Sequence, residues 1–186
     1  MQIIETALPE VKILTPKRFG DARGYFAETY SAKRMDDAGI FHPFIQDNLS
    51  HSASRGTIRG LHFQGPPSAQ TKLVSCLAGA ILDVAVDLRV GSPRFGQHVA
   101  VELSAQNGCQ LLVPRGFAHG FCTLADQTLV AYKVDAYYDA SVDFSLAFDD
   151  PALAIAWPIT RAKAVLSDKD SRAPTLADLP RVFSFD

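Results

Sequence analysis

The stretch Ala80-Ile81-Leu82-Asp83-Val84-Ala85-Val86-Asp87-Leu88 decides the fold. Leu82, Val84, Val86 and Leu88 alternate with Ile81, Asp83, Ala85 and Asp87, a period of two that fits an extended strand and no helix. One side is wholly apolar and the other carries two carboxylates, so a barrel enclosing that second side would enclose a site. Further short apolar or alternating runs follow the same rule at 73–77, 97–103, 110–114, 120–124 and 128–137. Between them stand Ala78-Gly79, Gly91-Ser92-Pro93, Asn107-Gly108, Arg115-Gly116 and Ala125-Asp126, each with the Gly, Pro, Asn or Asp chemistry of a turn. The pattern predicts an all-β fold, an antiparallel sandwich or barrel.

Outward from this centre the signals thin. A strand is expected at 11–14, a loop at Gly20-Asp21-Ala22-Arg23-Gly24 and an aromatic strand at 25–30. Ser31 is a fitting cap for a short helix over 32–38, which Gly39 would close. After Asp149-Asp150-Pro151 the composition turns to Ala, Pro and charge, which predicts a short helical or loop-rich tail. No repeat, low-complexity tract or linker interrupts residues 1–186, so one domain is expected.

A chain of 186 residues with 47% hydrophobic and 20% charged residues can bury a substantial core without staples. Its net charge of -2 excludes the strong basic excess of a general nucleic-acid binder, so an anionic ligand must be held by local charge. Cys76, Cys109 and Cys122 are odd in number and lack CxxC spacing, which predicts buried free thiols rather than a zinc ribbon or disulfide frame. No secretory leader and no long uncharged apolar run is legible, and a cytoplasmic protein without membrane contact is expected.

The densest polar sequence runs from Gln46-Asp47-Asn48-Leu49-Ser50-His51-Ser52 to Arg59-Gly60-Leu61-His62-Phe63-Gln64. Strict alternation puts Arg59 with Leu61 and Phe63, and His62 with Ile58, Gly60 and Gln64. A second histidine, His119, is expected where a turn enters the strand at 120–124. Two histidines on neighbouring strands can bind a metal, but a metal-binding jelly roll would show His-x-His and a nearby acid, and position 64 is Gln. Taken singly, His62 reads as a satisfied structural histidine, Tyr132 beside Val130 and Val134 as a core tyrosine, and Leu166-Ser167-Asp168-Lys169-Asp170 as a solvated turn.

Together these segments resemble the dTDP-4-dehydrorhamnose 3,5-epimerase family. The likeness rests on Phe19-Gly20-Asp21-Ala22-Arg23-Gly24, Gln46-Asp47-Asn48, Arg59-Gly60-Leu61-His62-Phe63-Gln64 and Pro114-Arg115-Gly116-Phe117-Ala118-His119-Gly120-Phe121. It continues through Tyr132-Lys133, Tyr137-Tyr138, Trp157-Pro158 and Leu166-Ser167-Asp168-Lys169-Asp170. The resemblance implies a cupin-like jelly roll with a few short helices near the termini. It implies a metal-free and cofactor-free inversion of carbons 3 and 5 of dTDP-4-keto-6-deoxy-D-glucose, giving dTDP-4-keto-L-rhamnose.

Both carbons flank a ketone, so either deprotonation makes an enolate that needs a base, a cation at the oxygen and an acid on the opposite face. The family likeness assigns His62 as base, Asp170 as its orienting partner, Lys72 as the cation and Tyr132 as the acid. It assigns Arg23, Arg59 and Lys169 to phosphate and sugar, Glu28 with Gln46, Asp47 and Asn48 to nucleotide and sugar, His119 to substrate and Tyr138 to stacking on thymine. Where relatives carry Glu after the tyrosine pair this chain has Asp143, one methylene shorter. The resemblance also implies a homodimer in which an N-terminal strand or arm completes the neighbour's site. The rival expectations are a related enzyme that inverts one carbon or isomerises the ketone, a metal-dependent cupin, and a non-catalytic sugar-binding jelly roll.

Overall fold

The computed structural model describes residues 1–41 and 43–185. Its strands are β1 (Gln2–Glu5), β2 (Lys12–Thr15), β3 (Arg18–Asp21), β4 (Gly24–Ala27), β5 (Gln46–Ser52), β6 (Ile58–Gln64) and β7 (Lys72–Ala78). They continue as β8 (Ala80–Asp87), β9 (His98–Ser104), β10 (Gln110–Val113), β11 (Phe117–Thr123), β12 (Thr128–Val134) and β13 (Asp143–Ser145). One sheet has the order β1-β2-β10-β7-β12-β5, a second β13-β6-β11-β8-β9, and β3–β4 stand apart as a hairpin. Every ladder between these strands is antiparallel. The all-β, cupin-like jelly roll expected from the sequence is the fold observed.

Strand β8 shows why its sequence was decisive. Ile81 and Ala85 face inward, where with Leu103 they meet Val74, Cys76, Leu111, Val113 and Val130 of the larger sheet. Its wholly apolar side, Leu82, Val84, Val86 and Leu88, is covered by the C-terminal segment through Leu153, Leu176, Leu179, Val182 and Phe183. Each such buried side chain contributes ~1.5–3 kcal/mol, so the tail closes the second side of the small sheet rather than dangling from it. The two carboxylates have different fates. Asp87 receives two Arg89 guanidinium bonds of 2.9 and 2.7 Å and one from Ser92 Oγ of 2.7 Å. Burial drives its carboxyl upward, but these bonds outweigh burial and hold it below the usual carboxylate range. Asp87 is therefore a structural knot, whereas Asp83 points to the site.

Several elements differ from expectation. The strand expected at 120–124 begins at Phe117, because all of Phe117–Thr123 is buried and no polar alternation marks its start. His119 accordingly lies inside β11 rather than at its entry. The expected strands at 11–14 and 128–137 are Lys12–Thr15 and Thr128–Val134. The expected 20–24 loop and 25–30 strand form a hairpin, β3–β4, whose turn Asp21 secures by accepting the Arg23 N–H at 2.8 Å. Strands β1, β5 and β13 carry no clean apolar alternation; β5 is polar on both sides.

Helix α1 (Ala32–Asp37) is capped as expected, with Ser31 Oγ accepting the Arg34 N–H at 3.5 Å. In the tail lie a 3-10 turn, Arg161–Lys163, and α2 (Asp168–Ser171). Cys76 and Cys122 are buried free thiols, while Cys109 is only partly covered. Among the described residues no helix is long and apolar enough to cross a membrane.

Candidate active site

A cavity of about 350 Å³ opens between the two sheets and gathers Ser50, Arg59, His62, Lys72, His119, Tyr132 and Asp170. A larger hollow of about 440 Å³ lies beneath the β3–β4 hairpin, lined by Arg18, Tyr25, Leu49 and Leu77 among others. Size favours the second, chemistry the first: only the smaller cavity places histidines, a lysine, a phenol and a buried carboxylate on shared walls.

The wall that carries His62 is built by a bulge. In β6, His62 pairs with His119 of β11 and Arg59 pairs with Phe121, so three residue steps on one strand oppose two on the other. The bulge breaks the strict alternation expected from the sequence. Arg59 and His62 thus both face the cavity, while Leu61 and Phe63 enter the hydrophobic layer under the C-terminal tail. Gly60 makes the bulge possible. Its φ is +116°, and a Cβ there would lie 2.7 Å from the Gly120 Cα and 2.7 Å from the His119 carbonyl oxygen. Only glycine lets β6 and β11 approach this closely.

Asp170 reaches His62 although 108 residues separate them. Val165 docks alongside the start of β6, its N–H donating to Gly56 O at 3.0 Å and its carbonyl accepting from Ile58 N at 3.0 Å. Ser167 then caps α2, accepting the Asp170 N–H at 3.1 Å, and Arg161 donates to the Ser171 carbonyl at 2.6 Å. The carboxylate emerges 3% exposed, with Oδ1 2.5 Å from His62 Nε2. Burial raises its pKa, but the hydrogen bond from His62, the attraction of the imidazolium whenever that ring is protonated, and further bonds from Ser167 and the Gly60 N–H outweigh burial and lower it. An ionised carboxylate only accepts, so Nε2 carries the ring proton and Nδ1 keeps the lone pair a base requires. The segment that reads in isolation as a solvated turn therefore delivers a buried partner.

The other walls come from the larger sheet. Lys72 begins β7, and Nζ donates to the His62 carbonyl at 3.4 Å. Burial lowers its pKa to about 8; Asp83 and Asp143 pull it upward and Lys169 pushes it down. Tyr132 of β12 stands opposite Asn48 of β5. Burial raises its pKa, with Asp143 adding to the rise and Arg59 opposing it. His119 is 7% exposed, and its Nε2 lies 2.8 Å from Oδ1 of the fully buried Asp83. Both histidines thus face carboxylates, and among the described residues no group of three or more His, Cys, Asp or Glu could hold a metal.

At the rim, Lys169 donates to Asp143 at 2.5 Å and the Tyr138 hydroxyl donates to the same oxygen at 3.1 Å. Asp143 opposes Gln64 in the β13–β6 ladder, two residues from the His62 row. Gln46 and Asn48, joined at 2.8 Å, occupy the inner side of β5, whereas Asp47 faces the other way and pairs with Lys133 at 2.7 Å. Arg23 and Glu28 do not join the cavity of their own chain. Arg23 sits at the hairpin tip with its side chain 89% exposed, and Glu28 pairs with Arg34 at 2.8 Å. Asp83 and Ser50 escaped the sequence reading of site residues; Asp83 had a usable signal in the two-carboxylate side of β8.

Comparison with known proteins agrees with this geometry. Residues 5–178 match the family model described as dTDP-4-dehydrorhamnose 3,5-epimerase. A protein of that name from Sinorhizobium fredii is 51% identical over 183 residues, covering 96% of this chain and 91% of its own. The crystal structure of dTDP-4-dehydrorhamnose 3,5-epimerase from Bacillus anthracis with TDP and PPi bound superposes with a TM-score of 0.91 at 53% identity, covering 94% of this chain and 98% of that one. A Legionella pneumophila dTDP-6-deoxy-D-glucose-3,5-epimerase in complex with dTDP-4-keto-L-rhamnose superposes with a TM-score of 0.94 at 45% identity, covering 100% and 98%. A match across nearly the whole length, on a fold whose chemistry-rich cavity pairs His62 with Asp170, makes this chain a member of the dTDP-4-dehydrorhamnose 3,5-epimerase family.

Proposed function

We propose that the chain converts dTDP-4-keto-6-deoxy-D-glucose to dTDP-4-keto-L-rhamnose by inverting carbons 3 and 5, without metal or cofactor. His62 takes the carbon-bound proton, Asp170 orients its ring and stabilises the imidazolium, Lys72 holds the developing enolate oxygen, Tyr132 returns a proton from the opposite side, and Arg59 contacts phosphate and sugar. One observation carries this assignment: His62 belongs to the five-stranded sheet and Tyr132 to the six-stranded sheet, so the base and the phenol stand on opposite walls of one cavity. Inversion needs that arrangement, because the proton must leave from one face and arrive at the other.

In this reading His119 contacts the sugar, and Tyr138, Asp143 and Lys169 form the nucleotide end, where their contiguity supports a shared role. Gln46 and Asn48 extend that end along the inner side of β5, while Asp47, paired with Lys133 on the other side, does not join them. The ligand in the related Legionella structure supports the sugar class. The chain acts as one domain over residues 1–186, in the cytoplasm, on a small molecule rather than on nucleic acid or membrane. It works as a homodimer: the exposed hairpin aromatics Phe19, Tyr25 and Phe26, together with Arg23 held away from its own cavity, support a hairpin that serves the partner's site.

The test is incubation with dTDP-4-keto-6-deoxyglucose in deuterated water followed by proton NMR. Deuterium is expected at both carbons 3 and 5. Label at one carbon would reduce the activity to a mono-epimerase, and label at neither would end the assignment.

A further inference from the structure

We propose that Asp83, fully buried on the inner side of β8, is a positioning residue of this site: it fixes the ring of His119 and serves as the internal counter-charge of Lys72. The geometry comes first. Asp83 is 0% exposed and lies behind the cavity wall, one oxygen 2.8 Å from His119 Nε2. Its other oxygen, Oδ2, is buried and has no hydrogen-bond partner among the described residues. A buried carboxylate with an uncommitted oxygen is costly unless a cation compensates it.

The charges around Lys72 point to that cation. Arg59 and His62 from β6, His119 from β11, Tyr132 from β12 and Asp170 from α2 share its cavity, and Asp83 of β8, Asp143 of β13 and Lys169 of α2 act on it through their charge. Of the three carboxylates, Asp170 is committed to His62 and to the cap of α2. Asp143 is committed to Lys169 and Tyr138. Of these three, Asp83 alone keeps an oxygen free, and its charge is the largest electrostatic influence opposing the burial of Lys72. A desolvated ammonium without a counter-charge sheds its proton and loses its value to an enolate oxygen. On this account one carboxylate serves both neighbours, holding His119 in place through Oδ1 and Lys72 charged through its field.

The inference rests on reading Lys72 as the cation of the enolate, and its test reads Lys72 separately from turnover. Asp83→Asn keeps the shape and an acceptor oxygen for His119 but removes the charge. The side-chain 15N signal of Lys72, assigned with Lys72→Arg, is followed against pH in both proteins, alongside the pH profile of kcat/KM. Burial lowers the Lys72 pKa to about 8, and that is the midpoint expected in wild type. In the variant the midpoint is expected at least ~1 unit lower, and the alkaline limb of kcat/KM should move with it, a loss of ~10-fold at pH 8 relative to the pH-independent rate.

An unmoved Lys72 midpoint overturns the proposal, and so does a rate lowered equally at every pH, which is what mere structural damage would produce. A moved midpoint with an unmoved rate profile sustains the counter-charge and removes Lys72 from the chemistry. Should Asp83→Asn fail to fold, the 13Cγ shift of Asp83 in wild type must still respond as Lys72 deprotonates. A signal blind to that event overturns the proposal equally.

Discussion

Replacing Asp170 by Asn is the sharpest test of the proposed mechanism, because it exchanges one oxygen for an amide at constant size. Asp170 Oδ1 meets His62 Nε2 at 2.5 Å in a spot 3% exposed, and its ionised state dictates that Nε2 holds the proton. A hydrogen bond to a charged group contributes ~1.5–3 kcal/mol. If that is the extra stabilisation of the imidazolium formed on proton abstraction, its loss slows the step roughly 10- to 150-fold, at a tenfold change per 1.36 kcal/mol. An amide that turns its NH2 toward His62 would also demand the opposite tautomer, with the proton on Nδ1 and no lone pair free for substrate. That second effect can only deepen the loss.

The assay is kcat/KM for deuterium wash-in at carbons 3 and 5, measured at several pH values with circular dichroism as the folding control. Stability should change in a defined direction as well. The folded Asp170 pKa is lowered, so its ionised form stabilises the fold above the ordinary carboxylate range near ~4 and loses that contribution as pH falls through the folded value. The stability gap between wild type and Asp170→Asn therefore closes in acid. A variant turning over within ~3-fold of wild type would refute the role given to Asp170.

Two further substitutions probe the opposite wall and the bulge. Tyr132→Phe removes the acid and leaves the base, so product formation should fall ~10²- to 10⁴-fold while solvent deuterium still enters the substrate; equal loss of exchange and product would mean that Tyr132 is not the proton donor. Gly60→Ala introduces a Cβ 2.7 Å from backbone atoms of β11 at a φ of +116°. Backbone strain and overpacking together cost roughly 2–5 kcal/mol, read as a lowered denaturation midpoint, and a midpoint equal to that of wild type would discount the tight β6–β11 approach.

How far the sequence could be read follows from which signals are local. The alternation of β8 depends only on neighbouring residues and on burial, so the all-β fold, the apolar outer side of that strand and its inward carboxylates were all legible. Strand β11 is buried on both sides, and periodicity cannot locate the ends of such a strand. The bulge at Gly60-Leu61 was illegible for a different reason. Alternation assumes one residue per residue across a ladder, and nothing in Arg59-Gly60-Leu61-His62 announces the extra step that turns Arg59 toward the cavity.

The chemistry lay further out of reach because it is made of long-range pairs. Asp170 is polar, lies in a Ser-Asp-Lys-Asp run and has every local mark of a solvated turn; its burial comes from Val165 docking beside β6, a contact that no window of neighbouring residues contains. Only the order of several motifs along the chain, the basis of the family resemblance, pointed to it. Asp83 is the converse case. Its position was legible from alternation while its partners were not, since His119 lies 36 residues away and Lys72 on the facing sheet. A carboxylate that alternation turns into a barrel must find a positive or hydrogen-bonding partner there. In β8 one such carboxylate found Arg89 and became architecture, and the other found the site.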